Sequence, residues 1–395
     1  MPQIRIFNPE HDLALAFGGT NYTPPPMARL LRRDLQMLPY WIAKPQDSIL
    51  TENVEVDSEW LNTLNRIYNT DIYTSTIKDI DKFDKFEPWG WNRFLWHRLQ
   101  LDGVPAMVLP PEETIKDIRA LSHRRISIKI HELFHEYIPS LPDNTPEEID
   151  NLENILCFAR RHPNAYVKAP WSSSGKGIYR ALDIDALDFI RRCSGILKRQ
   201  GSVLCEKPLD AITDFAMEFS ISAGKTKFIG YSLFNNDTHS SFSGGLLQST
   251  PQLHRKIAET LGNEELLYDV KMAAQKILDT LIAPHYNGYA GIDMMIYRDS
   301  ANKTQINPCI ELNLRTTMGV VSSIIGNKLL AEGSTGLFQT EFHKSVITRS
   351  YINSLENHNK LRISDNGKII SGVQMLTPLY PGSQYCAYIK VSSSR

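Results

Sequence analysis

Glu311, Asn313 and Arg315 stand two residues apart in the run CIELNLR. On a β-strand that spacing puts all three side chains on one face. A carboxylate and an amide oxygen are hard donors suited to Mg²⁺. A neighbouring guanidinium can disperse charge during phosphoryl transfer. Asp293, in the run GIDMMIY, adds a second carboxylate. A different stretch, Tyr166 to Arg180, places Lys168 in a short apolar run. Small residues follow (Ser172, Ser173, Ser174, Gly175, Lys176 and Gly177), and then Ile178-Tyr179-Arg180. Strand, glycine-serine loop and strand can lay backbone N–H groups over phosphates, with Lys168 as a fixed positive charge beside them. Taken singly, these features also fit a polar sheet face and a plain turn.

The loop is not a Walker P-loop. Pro170 stands where that motif needs its first glycine, and Gly177 rather than Ser or Thr follows Lys176. No Ser-His-Asp or Cys-His nucleophile is evident. His123, His131 and His135 lie at helical spacing without a Glu-x-x-His companion, which reads as core or surface histidines rather than metal ligands.

Composition narrows the classes. The 43 Lys and Arg nearly cancel the 44 Asp and Glu among 395 residues, which argues against a nucleic-acid partner bound through net positive charge. Apolar residues make 42 %, and no uninterrupted apolar run reaches membrane-spanning length, so no membrane partner is expected. The start, MPQIRIFNPEHDL, shows no secretory signal. Five scattered cysteines without a C-x-x-C pair suggest neither a zinc site nor a disulfide framework. A cytoplasmic protein with reduced thiols is the expectation.

The elements that must position these residues read as follows. QIRIF is a first strand, and the loop Asn8 to Asp12 follows it. Ligands of open α/β sheets sit outside such strand ends, so Glu10, His11 and Asp12 are candidate substrate contacts; a solvated turn is the alternative. Met27–Leu38, Glu59–Tyr68 and Trp89–Leu101 read as helices, Leu38–Ala43 and Val104–Leu109 as strands. Residues 1–112 thus form a Rossmann-like α/β domain, although no G-x-G-x-x-G follows the first strand. Pro146–Arg161 and Ala186–Arg199 read as helices, and Ser202–Glu206 as a strand. Phe215–Ser222 and Lys227–Phe234 form a hairpin turning at Ala223-Gly224. The loop Asn235–Gly245, with His239, Ser241 and Gly244, is a second candidate substrate element or a solvated loop. Lys368–Val391 reads as a peripheral hairpin.

The order of the set is more specific than any member. Arg124 comes first, then Lys168 with its loop, Glu206, Glu218 within the hairpin, Asp293, and Glu311-x-Asn313-x-Arg315. This order resembles the ATP-grasp superfamily over residues 120–325, through YVKAPWSSSGKG, VLCEKPL, GIDMMIY and IELNLRTTMG. The resemblance implies a pre-ATP-grasp α/β domain (1–112), followed by a two-lobed fold with antiparallel sheets. Its N-terminal lobe would span 113–207 and its C-terminal lobe, with the metal site, 208–336. A C-terminal helix and peripheral strands would occupy 337–395. It further implies that Lys168 and Arg124 contact ATP phosphates. Ser173, Ser174, Gly175 and Gly177 would form the lid. Glu206, Lys207 and Leu209 would meet the adenine, and Asp214 or Glu218 would hold the ribose. Asp293, Glu311 and Asn313 would bind Mg²⁺, and Arg315 would steady the transferring phosphate. Arg124 stands where such proteins usually carry another basic residue. The implied reaction joins a small-molecule carboxylate to an amine through an acyl phosphate, with an amino acid or peptide among the substrates. A small-molecule kinase and a non-catalytic nucleotide-binding protein are the alternatives.

Overall fold

The computed structural model describes residues 3–172, 177–236 and 242–393. Strand β1 (Ile4–Ile6) is buried along its whole length, Arg5 included, whose Nε lies 2.7 Å from Asp47. A strand covered on both faces suits the interior of a parallel sheet. Strands β2 (Ser48–Leu50), β3 (Tyr73–Ser75) and β4 (Phe86–Pro88) complete it in the order β3-β2-β1-β4, every pair parallel. Helices α1 (His11–Phe17), α2 (Pro26–Leu35), α3 (Val54–Tyr68) and α4 (Arg93–Leu101) belong to this segment. The chain adds β2 and β3 on one side of β1 and then β4 on the other. The crevice at the end of β1, where a ligand is accommodated in such sheets, is therefore where α1 starts.

Two strand expectations here are corrected. Leu38–Ile42 is a buried 3-10 helix with Pro39 in its first turn. A short apolar run buried all round carries no period that separates strand from helix. Residues 104–109 form turns: Val104 and Leu109 are buried while Met107 is fully out in solvent. Pro105 and Pro110 deny this run the backbone donors of a strand.

Helices α5 (Glu112–Leu121) and α6 (Ile126–Tyr137) lead to a small antiparallel sheet. It consists of β5 (Glu147–Ile149), β6 (Tyr166–Lys168), β7 (Ile178–Arg180) and β8 (Val203–Glu206), in the order β5-β8-β6-β7. Helices α7 (Leu152–Arg161) and α8 (Leu187–Gln200) close its apolar face. The helix expected from Pro146 begins only at Leu152. Asn151 caps it by accepting from the Asn154 N–H at 2.9 Å, which leaves 147–149 free to pair as β5.

The large sheet has nine strands: β9 (Asp210–Ser222), β10 (Lys225–Asn236), β11 (Phe242–Leu247), β12 (Gly288–Arg298), β13 (Thr304–Asn313), β14 (Ser334–Phe342), β15 (Arg362–Ile363), β16 (Ile369–Met375) and β17 (Tyr385–Ser393). Their order is β13-β12-β9-β10-β11-β14-β17-β16-β15. The expected turn at Ala223-Gly224 joins β9 to β10, with both residues at positive φ. The hairpin expected over 368–391 is present, β16 pairing antiparallel with β17, but it is not peripheral: β17 lies between β14 and β16 and buries Ala387, Ile389 and Val391. The position 336/337 falls inside β14.

Helices α9 (Thr250–Leu261), α10 (Glu264–Leu281), α11 (Met318–Lys328) and α12 (Arg349–His358) cover this sheet. Along β9, Phe215, Met217, Phe219 and Ile221 join the core formed with α6, α9 and α10. On β12 the same core takes Ala290, Ile292, Met294 and Ile296, and Leu312 joins it from β13. The strand period of two then sends Asp214, Ala216 and Glu218, Gly291 and Asp293, and Glu311 and Asn313 to the opposite face. The polar face is thus a consequence of burying the apolar one. No described helix is long and apolar enough to cross a membrane.

Candidate active site

Antiparallel register turns that face into rows. Glu218 pairs with Gly291, which pairs with Asn313; Ala216 pairs with Asp293, which pairs with Glu311. Asp293 and Glu311 are therefore direct cross-strand neighbours. Asn313 Nδ2 donates to Asp293 Oδ2 at 3.1 Å, while Asn313 Oδ1 accepts from Arg315 at 3.0 Å. Arg315 also donates through Nε to both oxygens of Asp12, 3.0 Å each. The loop after β1 thereby enters the same network, since Asp12 lies in the first turn of α1.

Burial, with Glu311 and Glu218 adding like charge, pushes Asp293 up to about 8. Crowded carboxylates favour protonation until a cation relieves them. An all-oxygen set in that electrostatic state is chemically compatible with Mg²⁺, and Asp293, Glu311 and Asn313 are the residues that could hold it. Asn313 Oδ1 accepts one hydrogen bond from Arg315, and its second lone pair is the one a cation would take.

The candidate cations come from the small sheet and from the turn before α6. Lys168 Nζ lies 2.6 Å from Glu206 Oε2, and both side chains are largely buried. Arg124, between α5 and α6, spans the cleft: Nη1 donates to the Ala169 carbonyl and to Ser172 Oγ, Nη2 to Glu311 Oε1 at 2.7 Å. Its Nε is buried without a partner among the described residues. The expected phosphate cation is thus paired with an expected metal ligand.

The base of the Ser172–Gly177 loop is rigidly set. Trp171 Nε1 donates to the Arg119 carbonyl, the Arg119 guanidinium stacks 4.0 Å from the Trp171 ring, and His123 packs edge-on against it. A Cβ on Gly177 would lie 2.7 Å from Ser172 Cβ, so the two ends of the loop meet closely. Ser173, Ser174, Gly175 and Lys176 lie outside the described residues, as do His239 and Ser241.

Other expected contacts fall differently. Lys207 and Leu209 occupy the irregular segment between β8 and β9, with the Leu209 carbonyl accepting from Ala211 N at 3.1 Å. Asp214 is partly exposed; burial raises its pKa and the Lys168 charge opposes the rise. Glu218 instead is fully buried, accepting from Ser232 Oγ at 2.9 Å and Thr317 Oγ1 at 3.1 Å. Burial raises its pKa to about 7. A Cβ on Gly291 would come within 2.7 Å of Glu218 Oε2, and one on Gly319 would overlap Oε1. Glu218 thus anchors the start of α11 to the sheet through Thr317. Gly244 is buried in β11, where a Cβ would overlap the Phe338 carbonyl. Strand packing by itself is enough to require a glycine there.

Of the loop after β1, Asp12 alone touches the acidic network directly. His11 is buried against Gly90, and burial lowers its pKa to about 4. Glu10 is buried with Arg32 at 3.1 Å. Ser232, Thr317 and Trp171 escaped sequence reasoning. Thr317 carried a usable signal, as a threonine cap before a long apolar helix; its Oγ1 accepts from Val320 N at 3.0 Å.

No protein-family model matches this chain, and no curated protein sequence matches it. Solved structures do. A biotin carboxylase from Campylobacter jejuni in complex with an ATP analogue superposes over 100 % of this chain and 88 % of its own, at TM-score 0.53 and 13 % identity. The biotin carboxylase domain of a Hydrogenobacter thermophilus 2-oxoglutarate carboxylase, holding MgADP and bicarbonate, gives 0.51 and 12 % over 99 % and 86 %. An N5-carboxyaminoimidazole synthetase from Staphylococcus aureus complexed with ADP gives 0.51 and 12 % over 100 % and 93 %. These are ATP-grasp enzymes, and the chain has the ATP-grasp fold, as the motif order implied.

Proposed function

We propose that this ATP-grasp fold serves a Mg²⁺- and ATP-dependent ligase that activates a small carboxylate as an acyl phosphate and passes it to an amine. One observation carries the reading. Asp293, Glu311, Asn313 and Arg315 converge on the polar face of the large sheet, Arg124 reaches Glu311 from the turn between α5 and α6, and Lys168 on the small sheet pairs with Glu206 and acts on Asp214. Opposed acids and cations across a cleft are what holding two anions together requires.

Mg²⁺ at Asp293, Glu311 and Asn313 would supply charge neutralisation for the phosphates. The protein's own groups do the rest. Lys168 binds a phosphate oxygen once Glu206 yields it. Arg315 holds the carboxylate, and later the transferring phosphoryl group, at the junction with the α/β domain. Arg124, paired with Glu311, would be released towards phosphate where Glu311 holds Mg²⁺. Asp214 accepts from the ribose hydroxyls, and the segment 207–209 offers backbone groups to the adenine edge. The fold neighbours work on small molecules, one of them shown with bicarbonate, so bicarbonate belongs among the carboxylates to be tried.

The test is a matrix of small carboxylates, bicarbonate included, against amines, with ADP and phosphate followed separately. The reading requires phosphate release that needs both partners. A phosphoester product without an amine would make the protein a kinase. Absence of any Mg²⁺-dependent stabilisation by ATP would reject the enzyme reading altogether.

A further inference from the structure

Far from this cleft in strand order, β14 and β17 place three chemically different donors on one face. Glu341 and Cys386 are direct cross-strand partners in antiparallel register. His343 lies two residues beyond Glu341, its N–H donating to the Gln384 carbonyl at 2.8 Å, so the pairing continues and its side chain returns to the same face. The ligating atoms of Glu341, His343 and Cys386 all lie within 4.8 Å of one another. Nothing in the proposed ligase chemistry uses them.

The surroundings are organised around the carboxylate. Tyr351 OH donates to Glu341 Oε2 at 2.7 Å and Tyr388 OH to Oε1 at 2.6 Å. His343 Nε2 lies 3.0 Å from Glu341 Oε2, and its ring packs edge-on against Tyr351 at 5.0 Å. Cys386 is buried among Ile352, Val373, Met375 and Tyr388, under α12. Glu341 and His343 keep 27 % and 31 % of their side chains exposed, which leaves a way in from solvent.

We propose that Glu341, His343 and Cys386 form a binding site for a borderline-soft divalent cation, Zn²⁺ in the first instance. One thiolate, one imidazole and one carboxylate are a mixed S, N, O set that suits Zn²⁺ and disfavours Mg²⁺. The cation takes the place of the proton shared by His343 Nε2 and Glu341 Oε2, and the Cys386 thiol gives up its proton on ligation. Water fills the fourth, solvent-facing position. Tyr351 and Tyr388 fix the carboxylate from behind, as hydrogen-bonded partners of metal ligands do. Because the donors come from two strands and α12 closes over them, the bound ion clamps the C-terminal part of the sheet.

The test uses the full-length protein, stripped with chelator and kept in excess Mg²⁺ so that oxygen-only sites are filled. Titration with Co²⁺ as the spectroscopic probe should give one equivalent of binding with a thiolate-to-cobalt charge-transfer band. Zn²⁺ should bleach that band and raise the melting temperature. Cys386→Ser should abolish the band, and His343→Gln, at a half-exposed position that leaves folding intact, should remove the Zn²⁺-induced rise. Tyr388→Phe should keep the band and weaken binding roughly tenfold to a hundredfold. No band, a band that survives Cys386→Ser, or a Zn²⁺ shift that survives His343→Gln would each overturn the proposal. Because the readouts are metal binding and melting, they stand apart from the outcome of the ligase screen.

Discussion

Asp12 grips Arg315 across 303 residues of chain, Nε lying 3.0 Å from each carboxylate oxygen and Nη2 2.9 Å from one of them. The α/β domain thus presents a carboxylate to the very guanidinium that the proposed mechanism gives to a substrate carboxylate. Asp12→Ala should remove an internal competitor and lower the KM for the carboxylate substrate. It should also cost about 1–3 kcal/mol of stability, since a charged hydrogen-bonded contact between the ends of β1 and β13 is lost. Steady-state kinetics and denaturant titration of the same variant check both arms; an unchanged KM would separate Arg315 from the carboxylate.

Lys168 is held by Glu206 at 2.6 Å with little solvent to screen the pair. Lys168→Ala should weaken ATP binding by roughly tenfold to a hundredfold, the scale of one charge-assisted hydrogen bond. Calorimetric titration with ATP and Mg²⁺ measures it. Unchanged affinity would remove Lys168 from the phosphate site.

Glu311 has two partners in prospect, Arg124 now and the metal in the loaded site. Glu311→Gln keeps an acceptor for Arg124, so the fold should survive, but removes the charge that a hard cation needs. Mg²⁺-dependent turnover should fall by at least roughly a hundredfold while the melting temperature changes little. Turnover that survives would move the metal elsewhere.

Gly319 tests the packing beneath the site. Alanine in a helix is ordinarily favoured over glycine by about 1 kcal/mol. Here its Cβ would overlap Glu218 Oε1 and come within 2.5 Å of Ser232 Oγ. Overpacking of about 1–3 kcal/mol should win, with the carboxylate displaced from its hydroxyl donors. Gly319→Ala should therefore melt earlier than the parent protein; a later melt would show that Glu218 has room to move.

The sequence disclosed the polar face because the apolar face is so regular. Phe215, Met217, Phe219 and Ile221 alternate with Asp214, Ala216 and Glu218, and one period places all of them. Strand pairing of β6 with β7 was legible for the same reason. What stayed hidden depends on contacts distant in sequence. Nothing local ties Asp12 to Arg315, or Arg124 to Glu311, or marks Glu218 as buried beneath Gly291 and Gly319. Leu38–Ile42 misled because a short run buried on every side has no amphipathic period. The packing of Gly244 stayed hidden because a close backbone approach to Phe338 leaves no trace but the glycine itself.

Three buried histidines work against the fold in acid. Burial lowers His11, His123 and His131 to about 4 from the usual 6.5. His131 is the cleanest: its Nε2 donates to the Cys309 carbonyl at 2.9 Å, and its Nδ1 is buried with no partner among the described residues. Above pH 6.5 it is neutral whether folded or unfolded, so its contribution is fully present there. Below 6.5 the unfolded chain takes up the proton and the folded one does not, so stability falls as pH drops and levels off near 4. That gap is worth up to about 3 kcal/mol for one such group. His131→Gln keeps an N–H donor without a titrating ring. Its stability deficit against the parent, measured by denaturant titration, should be constant above pH 7 and shrink between 6.5 and 4. A deficit that does not change with pH would show that His131 takes up its proton at the same pH in the folded and the unfolded chain.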